Sequence, residues 1–511
     1  MRDVEDAVPY NYMEVDMRKS KKILLGAGAA LGALTAANAA KAARYKPEKR
    51  STEALPPETV DVERFIQNLS DSIQIPAIAT ADPALTDWTV FEQLHAFLWE
   101  RYPLVHEKLE LEVVSKASLL FRWPGTKPEL DPMAMIAHLD VVTVTEGTEG
   151  DWTHPPYSGH YDGEFIWGRG SLDMKNHLIG LMESVETLLA EGFRPERDVY
   201  LCLGHNEEPA VTSAYSGASE MARLLQKRGV RLDSLNDEGG ALAKLNIKGV
   251  IKEKCIVAVG IAEKGYGDFS VSTFDKGGHS SQPPKHSALG RLALVIQDIE
   301  NNQFSGTMPD LTFNLLQEAG KHFSFPVRLI TCNLHLLKPF ITKLLGEIPE
   351  TACFVKTTTA VTMASGSPAH NILPQKATVN ANFRIMPGMT LADVEQHIKD
   401  VSRNKNIEVK LYKGQEPSSI SDLDTKSYKK LEKLFYDMYG GDILVAPYIV
   451  MGATDAYRYQ NVTNNIYRFS PFFVDVSLLN LAHGTNERLP ATRLDDALVF
   501  FKRYIRTMSA E

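Results

Sequence analysis

Three short motifs between Ile136 and Glu208 concentrate residues able to do chemistry: I-A-H-L-D, G-R-G-S-L-D-M-K and G-H-N-E-E. They put His138, Asp140, Asp173, Glu207 and Glu208 at the ends of apolar runs, beside tight glycine turns. That is how a metal site is mounted on the edge of a sheet, with imidazole and carboxylate as ligands for a divalent cation. Adjacent carboxylates are costly to gather without a cation or a shared proton. One of Glu207 and Glu208 is therefore expected to bind metal and its neighbour to act as a base near the metal-bound water. His138 and Asp140 are two apart on a β-capable run, so they share a face, and the carboxylate can fix the tautomer of the ring. Further acids follow at Asp237-Glu238-Gly239-Gly240, which reads as a loop. Taken singly, each motif has a plainer reading: a core histidine, an N-cap aspartate, a surface turn.

The elements that must carry these residues alternate. Helical spacing recurs over Val62–Leu69, Phe91–Tyr102 and Leu178–Leu189, and strand patterns over Leu111–Arg122, Met133–Val144, Phe165–Trp167 and Val199–Leu203. Asp173 falls at or near the start of the helix that ends at Gly192. An α/β fold follows, with a mostly parallel central sheet flanked by helices. Farther on, Tyr266–Phe274, Ala288–Asn301, Phe354–Ala364, Lys376–Arg384, Leu391–Ser402 and Ile407–Tyr412 read in the order β-α-β-β-α-β, a ferredoxin-like unit inserted as a lid. The expected division is 1–56 leader and linker, 57–264 first catalytic part, 265–413 lid, and 414–511 second catalytic part. Within the lid, Asn302–Glu350 is too long and too apolar for a connector. It is expected to pack on the lid as helices and to help wall a channel for an acyl chain or bulky side chain.

The chain has 511 residues, 44% hydrophobic and 23% charged, ample for a large core. A net charge of -9 excludes counterion-release binding to nucleic acid as a main activity. Four scattered cysteines make no disulfide framework, and no G-x-G-x-x-G or P-loop is present. Near the N-terminus, R-K-S-K-K leads into an Ala- and Gly-rich apolar run from Ile23 to Ala40. This layout fits a signal peptide or single membrane anchor, hence a secreted or membrane-anchored protein. A cytoplasmic chain with an Ala-rich leader is the alternative.

The ordered set H-L-D, G-R-G-S-L-D-M-K, H-N-E-E, D-E-G-G, G-G-H-S-S and H-G-T-N-E resembles the co-catalytic zinc exopeptidase family of aminoacylase-1, carboxypeptidase S and N-fatty-acyl-amino-acid synthase/hydrolase, from about Pro57 to Ile505. The carboxypeptidase S and N-acyl-amino-acid hydrolase branch is the nearest in pattern. The resemblance implies two Zn²⁺ held by His138, Asp173, Glu208, His483 and one acid of the Asp237-Glu238 pair, with Asp173 bridging. It implies Asp140 as support for His138 and Glu207 as general base. It further implies His279 as a donor to the tetrahedral oxyanion, sometimes across a homodimer formed through the lid, and Arg384 with Asn371 as anchors for a substrate carboxylate. The implied activity is hydrolysis, or reversible formation, of an amide next to a free carboxylate, as in carboxypeptidase action on small peptides, with N-acyl-amino-acid hydrolysis as the alternative. An inactive peptidase-like binding module is the non-enzyme alternative.

Overall fold

The computed structural model describes residues 35–209 and 216–511. The basic cluster and most of the apolar run of the expected signal or anchor, within residues 1–34, lie outside the described residues.

Sixteen strands occur among the described residues: β1 (Glu110–Val114), β2 (Ser118–Trp123), β3 (Met133–His138), β4 (Phe165–Trp167), β5 (Val199–Gly204), β6 (Ser234–Ile247), β7 (Ile251–Glu263), β8 (Gly265–Phe274), β9 (Gly278–His279), β10 (Thr358–Ser365), β11 (Ile372–Leu373), β12 (Lys376–Ile385), β13 (Ile407–Gln415), β14 (Leu444–Val450), β15 (Ile466–Asp475) and β16 (Arg488–Pro490). The large sheet has the order β1-β2-β5-β3-β6-β15-β7-β14. Its centre, β5-β3-β6-β15, is parallel, whereas β1, β2 and the β6–β7 hairpin pair antiparallel. In β3 every residue is buried, and alternate side chains enter opposite layers. Met133, Met135 and Ala137 pack with the helices Val62–Ile73, Lys175–Ala190 and Leu494–Ser509, while Ala134 and Ile136 pack with the helix Gly217–Lys227 and Tyr459. A strand covered on both faces reads as a continuous apolar run, which is why this one shows no polar alternation.

The second sheet, β10-β12-β8-β13, is antiparallel throughout. Helices Ala288–Asn301 and Leu391–Val401 cover one face with Leu292, Val295, Val394 and Ile398 against Phe269, Val379 and Phe383. Chain order and strand order together are those of the ferredoxin-like unit.

Three local expectations differ from the structure. Asp237 and Glu238 lie inside a 14-residue strand, β6, rather than in a loop. Two parallel neighbours and β7 supply the hydrogen bonds that hold this polar stretch extended, a tertiary effect that overrides its turn-like composition. Leu111–Arg122 is a hairpin, broken at Ser115 and Lys116, which both have positive φ. The insertion does form helices, Asp310–His322, Phe325–Thr331, Leu334–Glu347 and Pro349–Ala352. It packs on β14 and on the β6–β7 turn, where Ser324 bonds to the carbonyls of Gly249 and Val250, so it belongs with the large sheet as much as with the second sheet.

Candidate metal centre

Five segments deliver the site. His138 ends β3, and its Nδ1 lies 2.9 Å from the Asp140 carbonyl oxygen and 3.5 Å from the Asp140 carboxylate. That carboxylate is mainly occupied elsewhere: Oδ1 accepts from the Glu207 N–H at 3.0 Å and Oδ2 from the Glu208 N–H at 3.2 Å. Asp140 thus ties the turn after β5 to the end of β3, besides lying beside the ring.

On its other side, His138 Nε2 is 3.1 Å from Asp173 Oδ1 and 3.4 Å from a Glu238 oxygen. The second oxygen of Asp173 faces His483 Nε2 at 3.0 Å, and His483 Nε2 is also 3.0 Å from Glu208 Oε2. Two groups with metal-ligand spacing result, His138/Asp173/Glu238 and Asp173/Glu208/His483, sharing Asp173 through its two different oxygens. Glu207 joins His138 and Glu208 in a third. Asp237 is not among these groups. Its Oδ1 accepts from the Glu238 N–H at 2.8 Å and its Oδ2 from the Ala456 N–H at 2.9 Å, so of the adjacent pair it is Glu238 that reaches His138.

Electrostatics mark the cluster as a place for cations. Burial pushes Glu238 up to about 8, with Asp173 adding to it, and burial raises Glu207 well above the carboxylate range, with Glu208 and Glu238 contributing. Burial also raises Glu208. Hydrogen bonds to Asp173 and Glu208 lift His483 to about 10. For His138, burial works against the charged form, but its contacts with Asp140, Asp173 and Glu238 carry it well above the usual imidazole range. Burial would likewise raise Asp173, yet its hydrogen bonds to the two histidines bring it below the ordinary value. Protons are thus retained where divalent cations would satisfy the same oxygens and free both rings to ligate. Buried Glu208 Oε1 makes no hydrogen bond, an acceptor that a cation would satisfy. The donor set fits the metal.

A residue given no role from sequence holds this geometry. Glu487, fully buried, accepts through Oε1 from the N–H groups of Gly170, Leu172 and Asp173 at 3.0, 2.8 and 3.2 Å, and through Oε2 from Arg169 at 2.5 Å. Arg169 also donates to the His483 carbonyl at 3.2 Å. One carboxylate therefore fixes the loop of the shared Asp173, and its arginine partner fixes the loop of His483. The signal was present in G-R-G and H-G-T-N-E, but only the fold pairs them. His483 itself has φ of 62°, a left-handed conformation for a non-glycine residue.

The three residues expected to act from the inserted unit make their contacts elsewhere. His279, exposed on β9, bonds through Nδ1 to Ser281 Oγ at 2.8 Å. Asn371 lies beside it, accepting from the Ser280 N–H at 3.1 Å. Arg384, on β12, stacks over Tyr266 at 4.9 Å. Within the single chain no hydrogen bond or ion pair links any of the three to the acidic cluster among the described residues.

A pocket of about 230 Å³ opens on Asp173 and Glu238, walled by Leu172, Tyr448, Phe472, Val474, Leu479 and Ala482. None of its lining comes from 302–350; β14, β15 and the approach to His483 supply the walls.

Residues 134–507 match peptidase family M20/M25/M40. The chain belongs to that family. It is accordingly an enzyme of the metallopeptidase type, in a metal-dependent group of hydrolases that act on peptides or amino-acid derivatives. Among M20 relatives, a probable carboxypeptidase S-like 2 of Dictyostelium discoideum is 34% identical over 419 residues, covering 81% of this chain and 79% of the relative. The N-fatty-acyl-amino acid synthase/hydrolase PM20D1 of Mus musculus is 32% identical, covering 90% and 91%. Carboxypeptidase S of Saccharomyces cerevisiae is 30% identical, covering 86% and 83%. In fold, the M20 metallo-carboxypeptidase Sso-CP2 of Sulfolobus solfataricus superposes with a TM-score of 0.63 at 17% identity, covering 87% of this chain and 99% of that one.

Proposed function

We propose that this M20 enzyme hydrolyses, or reversibly forms, an amide next to a free carboxylate, using two zinc ions. The observation that carries the reading is the pair of ligand groups His138/Asp173/Glu238 and Asp173/Glu208/His483, which share Asp173 through opposite oxygens. Two divalent cations there would supply Lewis acidity and bring water's pKa towards neutrality. Glu207 takes the proton of the attacking water and passes it to the leaving amine. Asp140 positions both Glu207 and Glu208 through their backbone N–H groups. In this reading the lid, residues 265–413, brings the remaining groups: His279 as donor to the oxyanion, Arg384 and Asn371 as anchors for the carboxylate. None of the three bonds to the cluster within one chain, so in this reading lid closure or donation from a second copy brings them to it.

Carboxypeptidase action on small peptides is the first reading. The apolar pocket beside Asp173 and Glu238 favours a second, in which an acyl chain occupies it. The test is metal analysis with a panel of dipeptides and N-acyl-amino acids read as relative kcat/KM. Two zinc ions per chain and turnover that requires a free carboxylate support the proposal. A zinc-free chain that stays inactive after zinc is added rejects it. Mixing Glu207→Gln with His279→Ala chains separates the lid alternatives, since only donation across a dimer restores activity. The basic-then-apolar leader further supports export or membrane anchoring, tested by following the full chain in cell fractions.

A further inference from the structure

Strand alternation in the second sheet sends Phe269 of β8 and Phe383 of β12 to the helices, and Tyr266, Asp268, Asn380, Asn382 and Arg384 to the opposite face. Register sets Arg384 across from Tyr266 and Asn382 across from Asp268. Arg384 is half-buried, with its guanidinium carbon 4.9 Å from the centre of the Tyr266 ring. It makes no hydrogen bond or ion pair among the described residues, although an acid stands close by in the register. Asp268 is its diagonal neighbour across the strand pair, a separation of about 7–8 Å that a long side chain spans. A carboxylate so placed is the natural partner of a guanidinium.

Three neutral donors hold that carboxylate instead. Asn380 and Asn382 donate through Nδ2 to Asp268 Oδ1 at 3.0 and 2.9 Å, and the Tyr266 hydroxyl donates to Oδ2. Burial works to raise Asp268, yet these bonds bring it below its ordinary value, so the acid carries its charge. Burial, with Asp268 adding to it, pushes Tyr266 up to about 12, so the hydroxyl keeps its proton and is the donor. Asn380 Nδ2 also donates to Thr362 Oγ1 at 2.9 Å, which ties the group to β10. The Tyr266 ring is thereby fixed from its hydroxyl end, a platform on which a guanidinium stacks. A second cation bears on the same place: burial takes Lys264 down to about 8, and the charge of Arg384 adds to that. With Asp268 occupied, the guanidinium is left open to an anion from outside the sheet.

We propose that Tyr266, Asp268, Asn380 and Asn382 are positioning residues for the substrate carboxylate: the two asparagines and the tyrosine hydroxyl occupy Asp268 so that it does not capture Arg384, and the tyrosine ring holds the guanidinium ready. The inference rests on the reading of Arg384 as the anchor of that carboxylate. Asp268 with its acceptors free would be a competitor built into the sheet, at an effective concentration that a dissolved substrate rarely matches. The asparagines therefore set the affinity for substrates with a free acid, and leave the chemistry at the metal groups alone. Asp268 in return fixes the ring, which a neutral acceptor would hold less firmly.

The test uses the full chain with zinc and whichever dipeptide or N-acyl-amino acid it turns over with the highest kcat/KM. N380A/N382A frees Asp268 Oδ1, and its KM is expected to rise about tenfold while kcat stays within about twofold, the scale of losing one charge-assisted contact in binding. Adding D268N to that pair removes the competitor and is expected to bring KM back towards the unsubstituted value, a rescue that damaged packing would not give. Should N380A/N382A fail to fold, Y266F against Y266F/D268N makes the same comparison with one donor removed and the ring kept. Arg384→Ala separates this proposal from the reading beneath it. If R384A leaves KM unchanged, Arg384 does not anchor the carboxylate, and the proposal falls with that reading. If R384A raises KM but freeing Asp268 does not, or if D268N fails to restore it, Arg384 remains the anchor and the proposal alone is overturned. A fall in kcat at constant KM overturns it as well.

Discussion

The division of labour between the adjacent acids Glu207 and Glu208 can be separated by substitution. Glu207→Gln keeps the shape of the site and every metal-ligand group that shares Asp173, so bound zinc is expected to persist while kcat falls by about 10²–10⁴, the range for losing a general base. Inductively coupled plasma analysis beside initial rates measures both. Glu208→Gln should instead lose zinc. Glu487→Gln tests the support behind the ligands. Its replacement keeps the side-chain volume but removes the charge that faces Arg169 and one acceptor for the loop of Asp173. Losses at such supporting positions are typically about 10–100-fold in metal affinity, read by competition with a chelating dye. Equal zinc affinity in the variant would show that the loops hold without Glu487.

At the scale of elements, β6 bears the tightest constraint. Gly240 lies where β6 runs between β15 and β7, and a Cβ there would stand 2.2 Å from the Arg468 carbonyl oxygen and 2.4 Å from that of Ala258. Backbone on both sides cannot yield as a flexible side chain can. Gly240→Ala is therefore expected to destabilise by about 1–3 kcal/mol or more and to lower activity through Glu238, two residues away on the same strand. Thermal melts with zinc titration check both effects. Behind that strand, Arg468 pairs with Glu263 at 2.5 Å, and Thr454 Oγ1 donates to the same oxygen at 2.6 Å. The turn carrying Thr454 also supplies the Ala456 N–H that occupies Asp237. The strand thus presents Glu238 to the metal groups while its neighbour anchors it from behind.

For the whole molecule, folding and metal binding are linked, because the ligands come from β3, the turn before Lys175–Ala190, the turn after β5, β6 and the segment after β15. A chelator is expected to lower Tm and zinc to restore it, by the mass-action gain of any ligand that binds the native state alone. Acid works in the same direction through His205. Burial takes its imidazole down to about 4, while Ser118 Oγ lies 2.7 Å from Nδ1. The unfolded chain binds the proton below about 6.5 and the folded one does not, so this contribution is intact above about pH 6.5 and lost as pH falls towards about 4. Between about pH 7 and pH 5 it amounts to about 1–2 kcal/mol. Urea midpoints of His205→Gln should fall less over that interval than those of the unsubstituted chain.

Sequence alone determined the kinds of residue at the metal centre and the alternation of elements, because both are local. Apolar periodicity over β3, β5 and the helices reports burial, and glycine turns beside acids report where chains bend at a site. Only the tertiary structure separated Glu238 from Asp237, since adjacent residues on a strand face opposite ways and the register against β15 and β3 sets which one meets His138. It also revealed Glu487 with Arg169, more than three hundred residues apart in the chain, because a buried carboxylate satisfied by three N–H groups exists only once the two loops meet. The insertion shows the same limit. Its apolar content was plain in the sequence, but whether those side chains line a channel or face outward depends on which side of each helix the neighbouring elements cover.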